Sequence, residues 1–124
     1  MEMKYDRIFE TNVVEIGKEA QDFGEIGMAI LFGSEAPDAL RSSCYIINVK
    51  PVLKEIKNNM VLKIDGNKYR ITAVGNEVQT NLSNLGHIAI SFTGATEAKL
   101  PGTMYVEEKK YPKFKINTEI TIEG

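Results

Sequence analysis

The stretch from Met60 to Ala73 constrains the fold more than any other part of the chain. Met60, Leu62 and Ile64 alternate with Val61 and Lys63, Asp65-Gly66-Asn67 follows, and Tyr69, Ile71 and Ala73 then alternate with Arg70 and Thr72. A period of two marks a strand with one buried face, and Asp-Gly between two such runs marks a hairpin, because both residues accept a positive φ. A hairpin that buries one face cannot stand alone in water, so the remaining segments must supply a sheet to complete it.

They do so mainly as strands. Arg7–Ile16 is rich in apolar and β-branched residues, although its alternation is imperfect. Met28-Ala29-Ile30-Leu31-Phe32 is a continuous apolar run ended by Gly33, and Cys44–Val49 repeats the pattern before Pro51. Such runs read as strands covered on both faces. Ile88–Phe92, Met104–Val106 and Lys115–Ile122 supply three more, with Leu100-Pro101-Gly102-Thr103 as a turn and Glu107–Lys110 as a solvated charge cluster.

Helical signals are few. Asn76 is placed to cap a short helix over 76–85, with Gln79 completing a capping box and Val78, Leu82 and Leu85 on one stripe. Gly86 is its left-handed terminator. A second helix or turn is expected over 34–42, with Pro37 in its first turn. No internal repeat, low-complexity segment or dividing linker stands out. The expected fold is therefore all-β, a closed or nearly closed barrel with one or two short helices, formed by residues 1–124 as one domain.

Composition narrows the function by exclusion. A net charge of −2 argues against nucleic acid, which demands an excess of Lys and Arg. No apolar run reaches the length of a bilayer span, and no basic-then-apolar leader begins the chain, so direct membrane insertion is not expected. The single Cys44 cannot form an intrachain disulfide, which fits a cytoplasmic protein. There is no Cys-x-x-Cys pair, no second histidine and no phosphate-cradling glycine loop, so no metal and no bound cofactor are expected. The scattered carboxylates form no acid–base pair, and Cys44 reads as a buried core residue.

What remains is His87, the one histidine of the chain, in Leu85-Gly86-His87-Ile88. Any imidazole chemistry must run through it. If the following strand alternates, His87, Ala89 and Ser91 face outward while Ile88, Ile90 and Phe92 face the core. The ring then lies within reach of a partner. Nothing in the sequence brings Cys44 to it. On residues and spacing alone, the chain is an all-β domain of open purpose, and a surface histidine with no role is the simpler account of His87.

A resemblance adds what spacing cannot. Ala36-Pro37 followed by Leu40, Cys44-Tyr45-Ile46, Tyr69 with Thr72-Ala73-Val74-Gly75, Asn81-Leu82, Leu85-Gly86-His87 and Pro101-Gly102-Thr103 with Val106 form an ordered set. In that order and spacing the stretch from Ile30 to Val106 resembles the IIA component of the glucitol/sorbitol-specific phosphotransferase system (PTS). Ile16-Gly17 is similar more loosely. The resemblance implies a phosphocarrier that accepts a phosphoryl group from HPr on a histidine and passes it to a IIB domain. The IIB domain then phosphorylates a hexitol imported by the membrane component IIC.

On that reading His87 is the catalytic residue, and Ser91, Ser83, Asn84 and Thr93 are candidates for holding the phosphoryl oxygens. One departure matters: some relatives carry histidines just after the Cys-aromatic-Ile segment, where this chain has Ile47 and Asn48. The alternative is thus a phosphorylation-deficient homologue that works as a binding or regulatory module. A possible homo-oligomer follows from strand edges that need covering. A helix C-terminus just before His87 also opposes a phosphate placed over it, so the strand must carry the ring clear.

Overall fold

The computed structural model describes residues 6–124. Its strands are β1 (Arg7–Ile16), β2 (Met28–Phe32), β3 (Tyr45–Ile47), β4 (Val61–Ile64), β5 (Asn67–Val74), β6 (Ile88–Ser91), β7 (Thr103–Val106) and β8 (Glu119–Glu123). They close into a barrel in the order β1-β3-β2-β6-β7-β5-β4-β8, with β8 returning to β1. Closure pairs every strand on both sides and so removes the exposed edge that an open sheet would present. The expected mainly β barrel is what forms.

The hairpin is β4 and β5, paired Ile64↔Asn67 through Val61↔Arg70. Asp65 and Gly66 both take positive φ, +49° and +85°, the sign a two-residue type I′ turn requires. Leu62, Ile64, Tyr69 and Ile71 point into the barrel, where they meet Leu31, Ile88, Ile90, Ile120 and Ile122. At the Phe92 end of β6, the segment after β7 lays Tyr111 and Phe114 over Tyr45 and Phe92, with ring centroids 4.2 to 5.9 Å apart. The Tyr111 hydroxyl donates to the Met28 carbonyl at 2.9 Å.

Among the described residues three short helices are present, one more than the upper expectation: a 3₁₀ helix at Ala20–Ile26, α1 (Asp38–Arg41) and α2 (Val78–Leu85). The capping box does not form. Glu77, not Asn76, stands at the start of α2, without a side-chain hydrogen bond. The backbone has already met the need, since Glu77 N–H donates to Pro101 O and Val78 N–H to Gly75 O. Gln79 is then free to tie the loop before β4, accepting from Ile56 N–H and donating to Lys54 O. At the other end Gly86 takes φ +69° and terminates the helix as expected.

The barrel also holds a repeat that the sequence reading missed. β2 and β3 are parallel with Leu31 beside Tyr45, and β6 and β7 are parallel with Ile90 beside Met104. β1 is antiparallel to β3 as β5 is to β7. β2 and β6 pair antiparallel, Ile30 against Ala89, at the pseudo-two-fold between the halves. Gly17 N–H donates to Cys44 O, and Gly75 N–H donates to Thr103 O. In sequence this is Ile16-Gly17-Lys18-Glu19-Ala20-Gln21 against Val74-Gly75-Asn76-Glu77-Val78-Gln79, then Gly27 against Gly86. One extra residue in the second helix slips the register and hides the match. Met28 is the counterpart of His87, so only one half carries a histidine.

Candidate functional site

His87 sits where α2 ends and β6 begins, and backbone geometry fixes it there. Extending the β2/β6 register by one residue beyond Leu31↔Ile88 sets His87 opposite Phe32. The two rings stack with centroids 4.1 Å apart and planes 21° from parallel, a cross-strand aromatic pair. Two glycines permit the approach. A Cβ on Gly33 would overlap Val49 and the Leu85 carbonyl, and one on Gly86 would press on the Gly33 backbone at 3.1 to 3.3 Å.

The ring is half-buried on the outer face of the barrel, because Ile88 and Ile90 take the inner one. Its Nδ1 lies 3.2 Å from the Leu31 carbonyl oxygen. A carbonyl only accepts, so Nδ1 holds the proton and the lone pair of the neutral ring belongs to Nε2. The helix-end objection is answered by the same geometry. Gly86 and His87 N–H groups donate to Leu82 and Asn81 carbonyls, and Gly33 N–H donates to Leu85 O at 2.8 Å. Those carbonyls are occupied, while the ring leans across to β2.

Phe32 is itself held from behind. It packs with Ile30, Ala36, Cys44 and Ile46 in a small apolar cluster separate from the main core. Arg41 fastens the covering loop, donating to both Glu15 carboxylate oxygens at 2.8 and 3.0 Å and to Ser34 O at 2.8 Å. The Arg41 hydrogen bonds hold the Glu15 carboxyl below its usual range. Exposed Leu85 and Val49, on either side of Gly33, form an apolar rim near His87.

The other candidates divide. Ser91 and Thr93 are brought to each other, hydroxyl to hydroxyl at 3.0 Å, with Ser91 buried. Ser91 is four positions along from His87, about 13 Å, so the structure does not bring these two hydroxyls to the ring. Ser83, half-buried, and Asn84, exposed, lie in the last turn of α2 with only Leu85 and Gly86 before His87. Cys44 and His87 do not pair: the Cys44 thiol donates to Leu40 O at 3.1 Å, and burial pushes its pKa up. Sequence reasoning missed Phe32 and Leu31, whose role depends on strand pairing across more than fifty residues. Among the described residues, no group of three or more His, Cys, Asp or Glu side chains is arranged to hold a metal ion.

Comparison with known proteins fixes the family. Residues 8–121 match the family model described as PTS system glucitol/sorbitol-specific IIA component. This chain belongs to that family. The chain is similar to the PTS system glucitol/sorbitol-specific EIIA components of Shigella flexneri and of Escherichia coli (strain K12). Each is 32% identical over 99 residues, which cover 80% of this chain and 80% of the relative. It is also similar to the crystal structure of a PTS system IIA component from Enterococcus faecalis V583, with a TM-score of 0.79 and 28% identity. That match covers 90% of this chain and 97% of the other. As a IIA component the chain is part of a phosphotransfer system. No helix of the described residues is long and apolar enough to cross a membrane.

Proposed function

We propose that this IIA component carries phosphate on His87, taking it from HPr and handing it to the IIB domain of a glucitol/sorbitol transporter. The observation that supports this most is the Leu31 carbonyl on Nδ1, which directs the lone pair to Nε2. In the forward step the Nε2 lone pair attacks phosphorus in line, and the new P–N bond forms as the donor's P–N bond breaks. The electron pair of the broken bond returns to the donor imidazole. The phosphorylated ring of His87 keeps its Nδ1 proton against Leu31 O, so it stays cationic and departs readily when the next acceptor attacks. Phe32 limits ring rotation, which supplies the alignment that in-line transfer needs. Ser83 and Asn84 are the nearer of the proposed oxygen donors. Leu85 and Val49 are an apolar rim suited to brief complexes with successive partners. A carrier that takes its phosphate from HPr works in the cytoplasm, where HPr is.

A second reading is favoured by Ile47. It stands where some relatives have histidine, and it is fully buried with its Cδ1 against Gly86. If the carrier chemistry of those relatives belongs to that position, this chain is a binding or regulatory homologue that uses the same face without accepting phosphate. One experiment separates the two. The protein is incubated with phosphoenolpyruvate, enzyme I and HPr, and its mass is measured. A carrier gains one acid-labile, alkali-stable phosphate, and His87→Ala does not. An unmodified mass with retained HPr binding sinks the carrier reading.

A further inference from the structure

We propose that the lysine-rich face beside Tyr69 and Tyr111 is a docking surface for an anionic lipid bilayer. Lys68 from β5 and Lys109, Lys110 and Lys113 from the segment after β7 surround a depression of about 470 Å³, together with Asn67, Tyr69, Tyr111 and Pro112. Among the described residues, no carboxylate lines it. Among the described residues, none of these four amines lies within 4 Å of a carboxylate. The nearby Glu107 carboxylate is turned to Arg70 N–H at 2.7 Å. Lys115, on the same segment, is exposed as well.

A chain with net charge −2 has thus collected on one face positive charge that no described carboxylate pairs. The segment that carries it is anchored by the buried Phe114 and by Tyr111, whose hydroxyl is bonded to Met28 O. The amines stay on one side, and only Lys109 is partly held, by Lys68 O at 2.8 Å.

The kind of anion follows from what the face lacks. There is no arginine fork to orient a single phosphate, and both tyrosine hydroxyls are spent on backbone carbonyls. A protein partner would need an aromatic or arginine anchor, but Tyr69 is buried, and lysine is depleted from protein interfaces. Spread lysine charge on flexible stems fits a surface whose negative charge is also spread, as in a leaflet of anionic headgroups. The face lies at the Phe92 end of β6 and His87 at the other, about 16 Å along the strand. Docking there leaves the imidazole turned away from the lipid and open to exchange.

The test is co-sedimentation of the full chain with phosphatidylglycerol vesicles, with pure phosphatidylcholine vesicles as reference. Binding is expected to phosphatidylglycerol alone and to be lost at high salt. Each lysine should contribute about fivefold, so Lys109→Gln, Lys110→Gln and Lys113→Gln together should weaken binding about a hundredfold. Circular dichroism checks that this variant is folded. Lys18→Gln with Lys99→Gln, both exposed and outside the depression, should bind as the parent does. His87→Ala should also bind normally, so the result is independent of phosphate acceptance. A parent protein that ignores phosphatidylglycerol, or a triple variant that binds like the parent, overturns the proposal. Capture by an acidic protein without vesicle binding overturns it too.

Discussion

At the scale of single residues, the site reduces to one ring held on two sides. His87→Ala should abolish phosphate acceptance in the reconstituted donor chain and lower stability by about 1–2 kcal/mol, because the stack on Phe32 and the bond to Leu31 O are lost. His87→Gln should be equally inactive, since an amide nitrogen is no nucleophile. The modified nitrogen should be Nε2, read from the imidazole shifts of the ¹⁵N-labelled phosphoprotein. A signal on Nδ1 would mean that the Leu31 carbonyl does not set the tautomer. Cys44→Ser should keep acceptance and lose about 1–3 kcal/mol, by placing a hydroxyl in an apolar cluster. The Cys44 thiol also has a pH signature. Its folded pKa is raised by burial, so its contribution is intact below the ordinary thiol pKa. It is lost as pH rises from there toward the folded pKa, while the unfolded chain ionises and the native one resists. Urea midpoints measured across that alkaline range should fall less steeply in Cys44→Ser. The outward aim of His87 was legible, because Ile88 and Ile90 alternate against it. The tautomer was not, since it depends on a carbonyl 56 residues away.

Elements explain why the glycines are where they are. Gly17 and Gly75 end β1 and β5 at equivalent points of the two halves. A Cβ at Gly17 would overlap the carbonyls of Arg41 and Ser42, and one at Gly75 those of Leu100 and Pro101. Both are backbone atoms of packed loops and cannot swing aside. Gly17→Ala and Gly75→Ala should each cost about 3 kcal/mol, the upper end of ordinary overpacking. Gly66→Ala meets nothing within 4 Å and bears only the strain of its φ of +85°, about 1–2 kcal/mol. Urea midpoints rank the three, and Gly66→Ala as the worst would contradict the packing argument. The strands and the hairpin could be read from alternation because burial of one face imposes it directly. The capping of α2 could not, because the distant Pro101 carbonyl, with the backbone carbonyl of Gly75, replaced the local side chain. The repeat escaped because its identities are few and the second helix is one residue longer.

For the whole molecule, the pseudo-two-fold assigns β8 to β1 the part that β4 plays to β5. In the ring β1-β3-β2-β6-β7-β5-β4-β8, exchanging the halves returns the same ring read backwards. The second half runs continuously as β4-β5-α2-β6-β7, but the first is interrupted, since its opening strand β8 comes last in the chain. The ends of the described residues lie side by side as a result, with Gly124 N–H donating to Asp6 O at 2.9 Å. Joining them, with residues 1–5 as the connection, would make β8 and β1 a hairpin like the one at Asp65-Gly66. Opening the chain between Asn58 and Asn59, both exposed, then yields two successive halves of equivalent order. That cut keeps the Asn59 N–H bond to Ile71 O and crosses only two long bonds, Met60 N–H to Lys57 O at 3.3 Å and Lys57 N–H to Met60 Sδ at 3.4 Å. The permuted protein should therefore fold to the same barrel, unfold in a single transition and keep His87 stacked on Phe32. It should also fold faster, because the β8–β1 pairing becomes local instead of spanning the chain, and loop closure across long separations slows strand-rich folds. Stopped-flow refolding beside the parent checks the rate, and a chain without a cooperative transition would show that the two halves are alike in outline only.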